Sequence, residues 1–225
     1  MTLSDTSPSY TLRYFNRVGG AEAARLLLSA AGVQWTLVSP EWPAEKEKQP
    51  FGRLPVLIEH GPEGNTECTI SESGTIERYL ARKYGFLPTD LVQAAAQEQL
   101  RDQMADVFNA FANRLFSKSA EDTEMNDEKL ATLLSRFIKV HVGILQANGN
   151  TGYHFGPGLS YADMNIYSFY KNILVNLVEM RSEFGDLVRP KLTPEAAHFV
   201  ATVEADPLVK DYMSKTESIH KAMAA

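Results

Sequence analysis

Tyr14 closes a run of strand-forming residues, Tyr10 to Phe15, and the turn Asn16-Arg17-Val18-Gly19-Gly20 follows it. Ligands gather beyond the carboxyl ends of strands in open α/β sheets, so a phenol at that point is placed for ligand chemistry. Ser73 stands where a strand gives way to a helix. The unpaired N–H groups and dipole of a helix start attract an anion. Ser160-x-x-Asp163 has the spacing of a capping box and reads as structural. Other chemistries lack their residues. Cys68 is the single cysteine, so there is no intramolecular disulfide, Cys-x-x-Cys pair or multi-cysteine zinc site, and no metal is expected. The histidines suggest no site: His60 falls in a hairpin, and His141 and His198 in helices.

Two kinds of element must position these groups. Strand, helix (Ala21 to Ala31) and strand (Gln34 to Val38) open the chain as β-α-β, which favours a parallel, right-handed crossover. Pro55 to Glu59 and Glu67 to Ile70 read as a hairpin around Gly61, Pro62 and Gly64, and Ser73 to Tyr84 reads as a helix. Past residue 90 the strand signal stops. Leu100, Met104, Val107, Phe111 and Leu115 recur at helical steps, as do Leu130, Leu133, Leu134, Phe137, Ile138 and Leu145. Between the two series, Glu121 to Glu128 reads as an acidic loop. The expected architecture is a small α/β domain over 10–86 and an all-helical domain over 92–222. With 225 residues, a formal charge of −6 and 44% apolar residues, the chain is long enough to bury a core and lacks the basic face that nucleic acid requires. The polar start at Met1 to Ser9 and the lack of a long apolar run predict a soluble cytoplasmic protein, with no membrane partner.

Leu12-Arg13-Tyr14-Phe15-Asn16, then Gly19 and Ala21-Glu22-Ala23-Ala24-Arg25-Leu26, resembles the first strand and helix of tyrosine-type cytosolic glutathione S-transferases, sigma- or alpha-like in style. Trp42-Pro43-x-x-Lys46, Pro50-Phe51-Gly52-Arg53-Leu54-Pro55-Val56-Leu57, Ser71-Glu72-Ser73-Gly74-Thr75-Ile76, Leu159-Ser160-Tyr161-Ala162-Asp163 and Asp206-Pro207-Leu208-Val209 follow in family order and cover nearly the whole chain. The resemblance implies a thioredoxin-like domain that binds glutathione as co-substrate, then a helical bundle domain, in a homodimer. In the family the tyrosine matching Tyr14 donates a hydrogen bond to the glutathione thiolate. A free thiol titrates near about 8.5, and a donor to the charged form lowers that value; two units correspond to about 2.7 kcal/mol.

The same resemblance assigns the other site residues. Leu54-Pro55 matches the family's cis-proline turn, whose backbone meets the cysteinyl part of glutathione. Ser73 and Glu72 take the γ-glutamyl carboxylate and ammonium, although Glu72 stands where many classes have Gln. Trp42, Lys46 and Arg53 hold the glycyl end, and Asp106 reaches the γ-glutamyl ammonium across the dimer. Phe15, Met104, Phe108 and Phe111 are candidates to line a pocket for a hydrophobic electrophile, expected between the domains. One departure weakens the match: Gly20 stands where the closest classes carry a thiolate-stabilising arginine, so Arg13 or Arg17 compensates or the thiolate is less activated. Besides conjugation, glutathione-dependent double-bond isomerisation and non-catalytic ligand binding fit the same motifs. A disulfide or dehydroascorbate reductase needs a cysteine at the first turn, and Tyr14-Phe15-Asn16-Arg17 has none.

Overall fold

The computed structural model describes residues 8–61, 64–177 and 182–216. One compact unit holds the chain up to Phe86 and takes back the segment from Asp206; the other is Leu87–Ala205. In the first, β1 (Ser9–Arg13), β2 (Gln34–Val38), β3 (Val56–His60) and β4 (Thr66–Ser71) form one sheet in the order β2-β1-β3-β4. The crossover through α1 (Glu22–Ala30) makes β1 and β2 parallel, while the hairpin makes β3 and β4 antiparallel. β1 alternates half-buried and buried residues, with Tyr10 and Leu12 facing the core, as a strand covered on one face must. α2 (Ser73–Lys83) buries Ile76, Glu77, Leu80 and Ala81.

α1 is buried along its whole length, including Glu22 and Arg25, three residues apart. Two buried charges are tolerated only when they are paired and hydrogen-bonded. Arg25 pairs with Glu22 and donates to the carbonyls of Phe15 (3.0 Å) and Arg17 (3.1 Å), while Tyr212 donates to Glu22 at 2.9 Å. Tyr212 lies in helical residues 210–216, beyond the short 3-10 turn Pro207–Val209. This bond and the packing of that turn on α1 explain why the segment after Asp206 joins the first unit, whereas the sequence reading placed it in the helical domain.

The second unit is helical among its described residues: α3 (Leu91–Leu115), α4 (Ala120–Ala147), α5 (Tyr161–Phe169) and α6 (Pro194–Ala205), with a π-helical stretch Tyr170–Leu177 after α5. The expected acidic loop at Glu121 to Glu128 is instead the start of α4. Ser119 caps it, accepting from the Asp122 N–H at 3.0 Å, and Glu121 and Asp122 lie in the first turn, where the helix dipole favours negative charge. By length and composition α4 is also apolar enough to cross a membrane, which the sequence reading did not anticipate. Its Leu130, Leu134, Phe137, Ile138 and Leu145 are buried in the helical unit.

Candidate functional site

Tyr14 follows β1 directly and its backbone N–H still reaches the Val38 carbonyl at 3.1 Å, so the end of the sheet fixes its position. The ring is 8% exposed and meets Phe15 edge-on, with centroids 5.5 Å apart. The Gly20 N–H donates to the Tyr14 hydroxyl oxygen at 2.9 Å. That oxygen therefore accepts from the backbone, and no acceptor among the described residues takes its proton. Burial raises the pKa of Tyr14; the Gly20 N–H, Arg17 and Arg25 offset this only in part. The side chain is a neutral phenol at physiological pH, a donor with its lone pair already polarised.

The turn is shaped to allow this. A Cβ on Gly19 would lie 2.5 Å from the Tyr14 oxygen. A Cβ on Gly20 would lie 3.2 Å from Ser73 Oγ and 3.8 Å from the Tyr14 oxygen. Hydroxyls from the end of β1 and the start of α2 thus flank Gly20, the point where the resemblance leads one to expect an arginine. Of the cations expected to compensate, Arg13 pairs with Glu45 at 3.5 Å and Arg17 lies over the Phe15 ring at 4.5 Å. Arg25, not among the site residues expected from the sequence, is fully buried 5.6 Å from the Tyr14 ring centre and ties down the turn. Its signal in the sequence was an acid and a base three apart in an otherwise apolar helix.

Around this core the other expected residues fall as follows. Leu54–Pro55 is cis, as is Trp42–Pro43. Leu54 is half-buried and Pro55 buried. Trp42 is 38% exposed and meets the Phe15 ring edge-on at 5.5 Å, so Tyr14, Phe15 and Trp42 form one aromatic run. Lys46 begins a 3-10 turn and lays its chain beside Gly52, whose Cβ would be 3.6 Å from its Cε, and Arg53 is exposed. Glu72 is exposed with φ 70°, a left-handed turn that aims the chain into α2, and Ser73 is its first residue. Asp106, Met104, Phe108 and Phe111 belong to α3 of the helical unit. Asp106 is exposed; Met104 and Phe108 are half-buried. Phe111 is 2% exposed and stacks on Phe184 at 4.5 Å, a core position in that unit.

Residues 10–82 match the glutathione S-transferase N-terminal domain, and residues 105–216 match the glutathione S-transferase C-terminal domain. The chain belongs to the glutathione S-transferase family. It is 30% identical over 213 residues to S-crystallin SL11 of Nototodarus sloanii, covering 92% of this chain and 97% of that protein. It is 31% identical over 166 residues to glutathione S-transferase 1 of Ascaris suum, covering 71% and 77%. Among solved structures, a Nu-class transferase from Haemonchus contortus superposes with a TM-score of 0.73 at 26% identity, covering 93% of this chain and 98% of that one. The fold is therefore that of the family: a thioredoxin-like domain, which in the family is the glutathione-binding domain, and a helical domain.

Proposed function

We propose that the protein is a tyrosine-type glutathione transferase that conjugates the glutathione thiolate to a hydrophobic electrophile in the cytoplasm. The observation that carries this reading is the Gly20 N–H bond to the Tyr14 oxygen, which leaves the phenol proton free to be donated. A thiolate accepting that proton is favoured over the thiol, and catalysis follows from the lowered thiol pKa together with the holding of two substrates in one place. The backbone N–H does part of the polarising that a cation would do at Gly20, with Arg17 and Arg25 adding positive potential at the phenol. For glutathione itself, Ser73 at the start of α2 suits the γ-glutamyl carboxylate and Glu72 its ammonium. Trp42, Lys46 and Arg53 suit the glycyl end, and the Leu54 backbone before Pro55 suits the cysteinyl part. In a homodimer, Asp106 would serve the γ-glutamyl ammonium of glutathione bound to a second copy. Phe15 is the proposed contact for the electrophile.

Relatives named S-crystallin favour a second reading, a binding member of the fold without turnover. One experiment separates the two: thiolate absorbance of bound glutathione against pH, with turnover of an electrophile panel, in wild type and Tyr14→Phe. A midpoint well below about 8.5 that rises in the variant, with turnover reduced roughly ten- to a thousandfold, supports the transferase. Tight glutathione binding with an unshifted midpoint and no turnover supports the binding protein. Unchanged turnover in Tyr14→Phe removes Tyr14 as the activator.

A further inference from the structure

The helical unit holds a chain of titratable side chains that the glutathione site does not use. Asp163, in the first turn of α5, is fully buried, and four donors occupy its carboxylate. The Ser160 N–H (3.0 Å) and hydroxyl (2.6 Å) donate to Oδ2. The His154 N–H (2.8 Å) and ring Nδ1 (2.8 Å) donate to Oδ1. A carboxylate oxygen accepts and does not donate, so the ring contact to Oδ1 puts a proton on His154 Nδ1. The other nitrogen of that ring, Nε2, faces His141 Nδ1 at 3.2 Å. His141 comes from α4, is fully buried, and its Nε2 has no partner among the described residues. The Phe137 ring lies 4.0 Å from the His141 ring, and the Phe199 ring 4.7 Å from that of His154.

We propose that Asp163, His154 and His141 form an acid-sensitive fastening, which holds the 148–160 loop onto α4 and α5 only while the two imidazoles share a single proton between their facing nitrogens. The restriction is geometric. Two ring nitrogens 3.2 Å apart have room for one hydrogen between them, not two. The folded pair therefore cannot take the doubly cationic form. In the unfolded chain each imidazole titrates freely near about 6.5, and both become cationic below it. The unfolded state then binds at least one proton more than the folded state, so stability falls as pH falls. This contribution is complete above about pH 6.5 and is lost below it. The pKa of His141 shifts in the matching direction, well below its ordinary value, from burial first and then from the positive potential of His154.

Among the described residues, the surroundings supply no compensating acid other than Asp163. The π-helical stretch presents Tyr170 and α6 presents Phe199, both uncharged. Glu195 of α6 bonds Gln146 in an exposed contact, and Asp186, Arg189 and His198 are exposed. The loop is also held at its base, where Asn148 Nδ2 donates to the carbonyls of Tyr153 (2.9 Å) and Gly156 (2.8 Å). Those bonds do not titrate, so the imidazole pair is the pH-dependent part of the loop's attachment.

The test is the urea stability of the full chain one unit above and one unit below about pH 6.5, in wild type and in His141→Leu/His154→Leu. Across that interval the wild-type folding constant should fall about tenfold more than that of the double variant, one proton's worth. Equal slopes overturn the proposal. Should the double variant not fold, nitrogen-15 spectra of the wild-type imidazoles decide it. The expected result is Nδ1–H on both rings above the midpoint, and no doubly cationic pair in the folded protein below it. Two independent titrations near the free value would overturn it.

Discussion

Gly19→Ala should disable the site without removing any group that does chemistry. The new Cβ would sit 2.5 Å from the Tyr14 oxygen, against the roughly 3.4–4 Å that carbon and oxygen keep in ordinary contact, so the hydroxyl must retreat by about 1 Å. The ring is only 8% exposed, with Phe15 edge-on to it and the Arg25 guanidinium 5.6 Å from its centre. A move of that size takes the Gly20 N–H contact from 2.9 Å to beyond hydrogen-bond length and turns the phenol proton off its target. A hydrogen bond to a charged group contributes about 1.5–3 kcal/mol, equivalent to about one to two pKa units of the bound thiol. The expected outcome is a bound-glutathione midpoint one to two units higher and turnover near neutral pH reduced about ten- to a hundredfold. Because Gly19→Ala and Tyr14→Phe remove one shared interaction, the double variant should be no worse than Tyr14→Phe alone. Absorbance titration of the thiolate and steady-state turnover of all three variants measure this. A wild-type midpoint in Gly19→Ala, or fully additive losses, would refute the hydroxyl geometry on which the mechanism rests.

Two further outcomes follow from buried contacts. Arg25→Leu strips Glu22 of its buried partner and the Phe15 and Arg17 carbonyls of their donor; it should cost about 3–5 kcal/mol in urea unfolding, and a surface-like loss below about 0.5 kcal/mol would contradict the assignment. Phe111→Ala removes a ring stacked on Phe184 in the helical core. It should cost about 3–5 kcal/mol of stability while leaving KM for the electrophile unchanged, and a shifted KM with wild-type stability would return Phe111 to the substrate pocket.

The order of elements was legible because it rests on local rules. Strand patterning, the α1 crossover, the Ser160-x-x-Asp163 capping box and the helical steps of α3 and α4 each depend on residues within a few positions of one another. The same local rules misread the start of α4, where a run of acids resembles a loop until Ser119 is seen to cap it. They also could not show that the segment after Asp206 packs with the first unit, because its anchor, Tyr212 on Glu22, spans 190 residues of sequence. In the site, residue types marked Tyr14, Ser73 and the departure at Gly20, but a glycine's spelling does not say that its N–H reaches a phenol oxygen 2.9 Å away. The histidines looked idle for a related reason: His141 and Asp163 come from two helices, and His154 from the loop between them. Sequence determined which groups are present and which elements carry them. Only the tertiary structure decided which groups meet, because hydrogen bonds and shared protons depend on distances of about 3 Å that close when elements far apart in the chain pack together.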